Sequence, residues 1–136
     1  MHQIEDIYQF LEKHIYDEPV KPDSDIFDDF GCVGDDFDEL IGDYATTFKV
    51  DMSDYLWYFH GDEEGNNFLA IQLVDPPYKR VKRIPVTPTM LLDFANSGKW
   101  SIEYPEHTLP KRRYDILFNQ LLIVALVLYV IYSLVF

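Results

Sequence analysis

The chain has 136 residues and a formal net charge of −13 at pH 7. That length holds one ordinary domain and little more. So strong an acidic excess argues against nucleic acid as a partner, which asks for a basic footprint, and a single cysteine, Cys32, excludes an intrachain disulfide and fits a reducing compartment.

Residues 2–16 read as the first helix. Ile4, Ile7, Tyr8, Leu11 and Ile15 recur at three- and four-residue steps and make one apolar face. Pro19 and Pro22 end the pattern. Residues 17–35 form a loop rich in Asp, Pro and Gly, with Ile26, Phe27 and Phe30 as its core anchors. A second helix starts near Asp35 or Asp36. Phe37, Leu40, Ile41, Tyr44, Ala45 and Phe48 share one stripe, while Asp36, Asp38, Glu39 and Asp43 fall off it.

Residues 50–60 suggest a turn and a short helix capped by Ser53 or Asp54. Residues 68–74 are compatible with a short strand, and 81–86 with an edge partner limited by Pro85. Residues 87–97 carry clear helix punctuation: Thr87 as N-cap, Pro88 at the first position and Gly98 as the stop. Met90, Leu91, Phe94 and Ala95 face inward. Trp100, Ile102 and Tyr104 close over them.

The last segment, residues 116–136, contains no charged residue, and fifteen of its twenty-one residues are Ile, Leu, Val or Phe. As a helix it measures about 31 Å, the depth of a hydrocarbon core. Lys111, Arg112 and Arg113 flank it on the N-terminal side only. Basic flanks stay in the cytoplasm, so the expected arrangement is a single-pass, tail-anchored protein of the inner (cytoplasmic) membrane. No apolar leader is apparent in residues 2–15. The organisation is then a cytoplasmic domain over 1–104, a basic linker over 105–115 and a transmembrane helix over 116–136.

Charge is unevenly placed. Residues 1–75 hold twenty acids against three bases, whereas 76–113 hold eight bases against three acids. The acidic part favours a basic protein partner through steering. The basic part suits an anionic lipid surface.

The run Lys21 to Tyr44, KPDSDIFDDFGCVGDDFDELIGDY, resembles the loop and second-helix start of acyl carrier proteins over about residues 4–60. That resemblance implies a helical bundle. The serine that carries the phosphopantetheine arm in carriers is replaced here by Asp36 or Phe37, depending on where an insertion near Val33-Gly34 is placed. Neither side chain has a hydroxyl to load. A longer pattern is similar to the domain-of-unknown-function family 1493 over about residues 4–102. It comprises Gly34-Asp35-Asp36, then Val86-Thr87-Pro88-Thr89-Met90-Leu91, then Gly98-Lys99-Trp100. The fold expected is mainly α: a carrier-like bundle with room for one short hairpin, plus one transmembrane helix.

Catalytic chemistry finds little support. The acids from Asp23 to Glu39 miss the ligand spacing of a calcium loop, and a solvated acidic face fits them better. Asp35 and Asp36 are adjacent, so they do not face each other as an acid–base pair; capping the second helix suits them. Cys32 sits among acids that disfavour its thiolate. His2, His14, His60 and His107 show no ligand spacing and read as surface or boundary residues. No cofactor or metal is called for.

An interaction surface is the stronger expectation. Asp35, Asp36, Asp38, Glu39 and Asp43 match the helix by which a carrier meets its enzymes. Four aromatics in five residues, Tyr55, Trp57, Tyr58 and Phe59, cannot all enter one core from a short helix. Tyr55, Trp57 and Tyr58 therefore join the candidate surface. The sequence points to a non-enzymatic, membrane-tethered acidic module. The alternatives are an acyl carrier loaded at another serine and an immunity or antitoxin protein covering a basic toxin.

Overall fold

The computed structural model describes residues 1–16, 19–64 and 73–136. Among them the chain is mainly helical, with no strand: α1 is Ile4–Leu11, α2 Gly34–Phe48, α3 Pro88–Ser97 and α4 Tyr114–Val135. Two 3-10 turns, Trp57–Phe59 and Pro77–Lys79, lie between α2 and α3 in the chain.

The apolar stripes assemble the core. Phe10 of α1 meets Tyr44 and Phe48 of α2 edge-on, at centroid distances of 6.1 and 5.6 Å. The Tyr44 hydroxyl donates to the Leu91 carbonyl of α3 at 2.5 Å. One phenol thus pins two helices, in surroundings where an unpartnered hydroxyl would be costly. Phe37, Leu40, Leu91 and Trp100 are fully buried around this point. Ile26 is buried as well, with Phe27 and Phe30 packed against the cluster.

Helix ends follow local chemistry. Gly34 opens α2 at φ +57°, a left-handed conformation that glycine adopts without a Cβ penalty. Its N–H donates to Asp62 Oδ1 at 2.7 Å. The first free amide of α2 is therefore satisfied by a distant carboxylate. Asp35 and Asp36, expected to cap, sit instead in the first turn, where their charge favours the positive end of the helix. Lys49 ends α2 at φ 55°. In α3 the expected punctuation is in place: Thr87 Oγ1 accepts the Met90 N–H, Pro88 leads, and Gly98 stops the helix at φ 77°.

Three local expectations are corrected. The first helix ends at Leu11 rather than near residue 16, because Lys13 and His14 donate to the carbonyls three residues back and tighten the chain into a turn. Ile15 still reaches the core. The helix expected within 50–60 is reduced to Trp57–Phe59. Ser53 and Asp54 cap nothing there: the Ser53 N–H donates to Asp51 Oδ1, and Asp54 pairs with Lys99.

The expected hairpin is also absent among the described residues. Residues 68–72 lie outside them, and 73–74 form a bend. Residues 81–86 make single backbone bonds to two different segments, Ile84 N–H to Phe59 O and Val86 O from Ile26 N–H. Pro85 has no N–H to continue a ladder. An isolated parallel bridge joins Asp51 to Lys99 and brings Trp100 against Phe94, with rings 4.7 Å apart.

The 22 residues of α4 span about 33 Å. An 18-residue window within it has a mean hydropathy of 2.2 and is not buried by the rest of the chain. This one C-terminal helix is long and apolar enough to cross a membrane. It begins at Tyr114, so Asp115 lies in its first turn.

Removing the phenol link tests this packing. In urea unfolding of the full chain in neutral detergent, Tyr44→Phe should cost about 1 kcal/mol. Tyr44→Ala should cost about 3–5 kcal/mol through the cavity it leaves. Equal, small losses in both variants would show that Tyr44 does not bridge α2 and α3.

Candidate functional site

The solvent side of α2 presents Asp35, Asp36, Asp38, Glu39 and Asp43, all exposed. Asp43 lies 3.3 Å from His14. No ion pair reaches Asp35, Asp36, Asp38 or Glu39 from any described residue. The face is extended by the loop after His60, where Asp62 and Glu63 approach. Partial burial, followed by the fields of Asp35, Glu63 and Asp62, pushes the Asp38 carboxyl above its usual range. Like charges crowd around Asp38, which itself has no ion pair among the described residues; this costs stability and invites a cation.

Other acids are neutralised. Arg83 forks onto Asp25, at 3.2 and 2.6 Å, and reaches Asp28 at 2.7 Å. Burial raises the Asp25 pKa, yet the Arg83 fork together with the Asp28 and Phe27 N–H bonds outweighs it and the carboxyl is held low. Among the described residues no group of three or more His, Cys or acidic side chains converges as a metal site. Cys32 is buried, and burial with the nearby Asp36 charge pushes its thiol up to about 11. It is an inert side chain at neutral pH.

The aromatic segment divides. Phe59 is buried, and Tyr55 stacks on His60 at 5.5 Å and meets Trp100 edge-on. Tyr55 therefore packs inward, with its buried hydroxyl lacking a partner among the described residues. Trp57 and Tyr58 are half-buried and line a cleft with Lys111, Arg112 and Arg113. The structure thus gathers Trp57, Tyr58 and the basic linker in one place, and the acids of α2 in another. Glu63 stands between them. Its two oxygens take both Arg113 Nη atoms at 3.0 and 2.7 Å, while Arg113 also forks onto Asp115 at 3.0 and 2.6 Å.

His60 corrects the expectation of surface histidines. It is fully buried. Tyr104 Oη accepts from Trp100 Nε1–H and from the Leu56 N–H, so its own proton goes to His60 Nε2 at 2.7 Å. His60 Nδ1 then carries the imidazole proton and donates to the Ile84 carbonyl at 2.9 Å. Burial holds the ring neutral, with its pKa lowered to about 4, against the opposing effect of the Ile84 bond.

A family model described as a protein of unknown function (DUF1493) matches residues 2–103. The chain belongs to that family. The DUF1493 match covers α1 through the segment after α3 and leaves α4 outside. No curated protein and no solved structure matches the chain.

Several contributors escaped the sequence reading. The Asp62–Gly34, Arg83–Asp25 and Arg113–Glu63 contacts join residues 28, 58 and 50 positions apart, and spacing carries no trace of such pairs. His60 did leave a signal, since it closes the apolar run LWYFH.

The neutral, buried His60 makes stability depend on pH. Its pKa of about 4 lies below the unfolded value of 6.5, so the unfolded chain takes up the proton first. The contribution is complete above pH 6.5 and is lost as pH falls toward 4. Between pH 7 and pH 5 the wild type should lose about 2 kcal/mol from this source. Urea midpoints of His60→Phe, set against wild type, should show a clearly flatter pH profile over that interval. Parallel profiles would mean that the imidazole titrates alike in both states.

Proposed function

We propose that this protein is a non-enzymatic interaction module, tethered to the inner (cytoplasmic) membrane by α4, that offers the acidic face of α2 to a basic protein partner. One observation carries this reading: four carboxylates on consecutive turns of one exposed helix have no cationic partner among the described residues. Such a face lowers its own repulsion when it meets a basic surface, and its field accelerates the encounter. Lys111, Arg112 and Arg113 ahead of α4 support a cytoplasmic position for the domain.

The likeness to acyl carrier proteins supports the same surface. It does not favour loading. Phe37 is fully buried, and Asp36 is a carboxylate. Ser24 is buried, with its Oγ accepting the Lys21 N–H. Ser53 lies in the turn after Asp51, away from the head of α2. The recognition helix is kept, and the attachment point is gone.

Two measurements test this. Full-length protein in detergent should capture basic proteins from solubilised membranes, and Asp36→Lys with Glu39→Lys should cut that capture at least tenfold. Asp36 is in the first turn of α2, so the exchange costs helix stability only about 0.5–1 kcal/mol; an unchanged circular dichroism spectrum confirms folding. Capture that ignores the charge reversal would remove the acidic-face reading. Separately, incubation with coenzyme A and a phosphopantetheinyl transferase should leave the intact mass unchanged. A gain equal to the phosphopantetheine arm would establish a carrier instead.

A further inference from the structure

A cleft of about 350 Å³ opens where the domain meets α4. Its walls include Trp57, Tyr58, Arg80, Leu109, Lys111 and Arg112. Arg80, Lys111 and Arg112 form no ion pair with any described residue. Arg80 Nε donates to the Asp75 carbonyl at 2.8 Å, which fixes the guanidinium and leaves its terminal amino groups for another acceptor. The neighbouring Arg113 is different: its donors are consumed by Glu63 and Asp115. Three uncommitted cations therefore border one cavity in a chain of net charge −13. Asp75 is the only lining acid that forms no ion pair among the described residues.

Position narrows the ligand. Tyr114 and Asp115, the first two residues of α4, also line the cleft. The cleft thus lies within about one helical turn, roughly 5 Å, of the start of the apolar helix. In a bilayer spanned by α4 that level is the headgroup layer, where Trp and Tyr side chains concentrate. The cavity combines phosphate-binding cations with apolar wall from Trp57, Pro77 and Leu109. Its volume falls in the range of ordinary ligand pockets.

We infer that this cleft holds the phosphate headgroup of an anionic phospholipid from the leaflet around the N-terminal end of α4. The inference rests on the reading of α4 as a membrane span. A bound lipid would place its phosphate among Arg80, Lys111 and Arg112. Its chains would run down α4.

Native mass spectrometry of the full chain in neutral detergent tests it, with phosphatidylglycerol, phosphatidylcholine and inorganic phosphate as probes. One phosphatidylglycerol per chain should be retained at least tenfold more tightly than phosphatidylcholine, and millimolar phosphate should not displace it. Replacing Arg80, Lys111 and Arg112 together by Gln should abolish that preference. Lys82→Gln, an exposed charge outside the cleft, should leave it intact. Equal retention of both lipids, displacement by phosphate, or an equal loss in Lys82→Gln would overturn the site. Alkaline extraction from phosphatidylcholine vesicles separates the two ideas. A chain that washes out refutes the span and the site with it. A chain that stays in, but shows no lipid preference, refutes the site alone.

Discussion

The Arg113 guanidinium holds the molecule's two parts in register. It forks onto Glu63 from the domain and onto Asp115 from the first turn of α4, and it lies over the Trp57 ring at 5.9 Å. The three charged side chains are shielded, with exposures of 32%, 23% and 9%. Such a network differs from an exposed ion pair, which contributes little. Removing the central cation would leave two carboxylates crowded and partly desolvated. The same contact fixes the loop after His60, from which Asp62 reaches the head of α2. It also shapes the cleft beside Trp57. The cleft and the start of the apolar helix are therefore positioned by one side chain, which also ties down the loop that extends the acidic face.

The proposed function rests on where the charges of this chain remain uncompensated. Two half-buried acids find cations: Asp25 finds Arg83, and Glu63 finds Arg113. The acids of α2 do not, because the apolar stripe of that helix turns them all outward. Three cations without an ion pair among the described residues, Arg80, Lys111 and Arg112, line the cleft next to α4. That distribution is what the proposed place between a basic partner and an anionic lipid surface would use.

Much of this was legible in the sequence, for specific reasons. α2, α3 and α4 announce themselves through periodicity, through Thr87-Pro88 and Gly98, and through sheer apolar length. Each signal lies within the element it describes. The shorter α1 and the reduced helix at residues 57–59 depend on hydrogen bonds that no propensity encodes. In the second expected strand, tertiary bonds with Phe59 and Ile26 claim the backbone of residues 84 and 86, while residues 68–72 of the first lie outside the described residues. On the candidate surface, the exposed acids could be read directly from the helical stripe. Tyr55 could not be told from Trp57 and Tyr58, because their separation depends on Trp100 and His60 packing with Tyr55 in one aromatic cluster.

The rigid link through Arg113 is the claim most open to direct measurement. Spin labels at Ser101→Cys in the domain and Gln120→Cys on α4, in a Cys32→Ala background in lipid nanodiscs, report the distance between the two parts by pulsed electron resonance. A single narrow distribution that broadens markedly in Arg113→Gln is the result expected. A distribution equally broad with and without Arg113, or equally narrow in both, would show that this side chain does not hold domain and helix together.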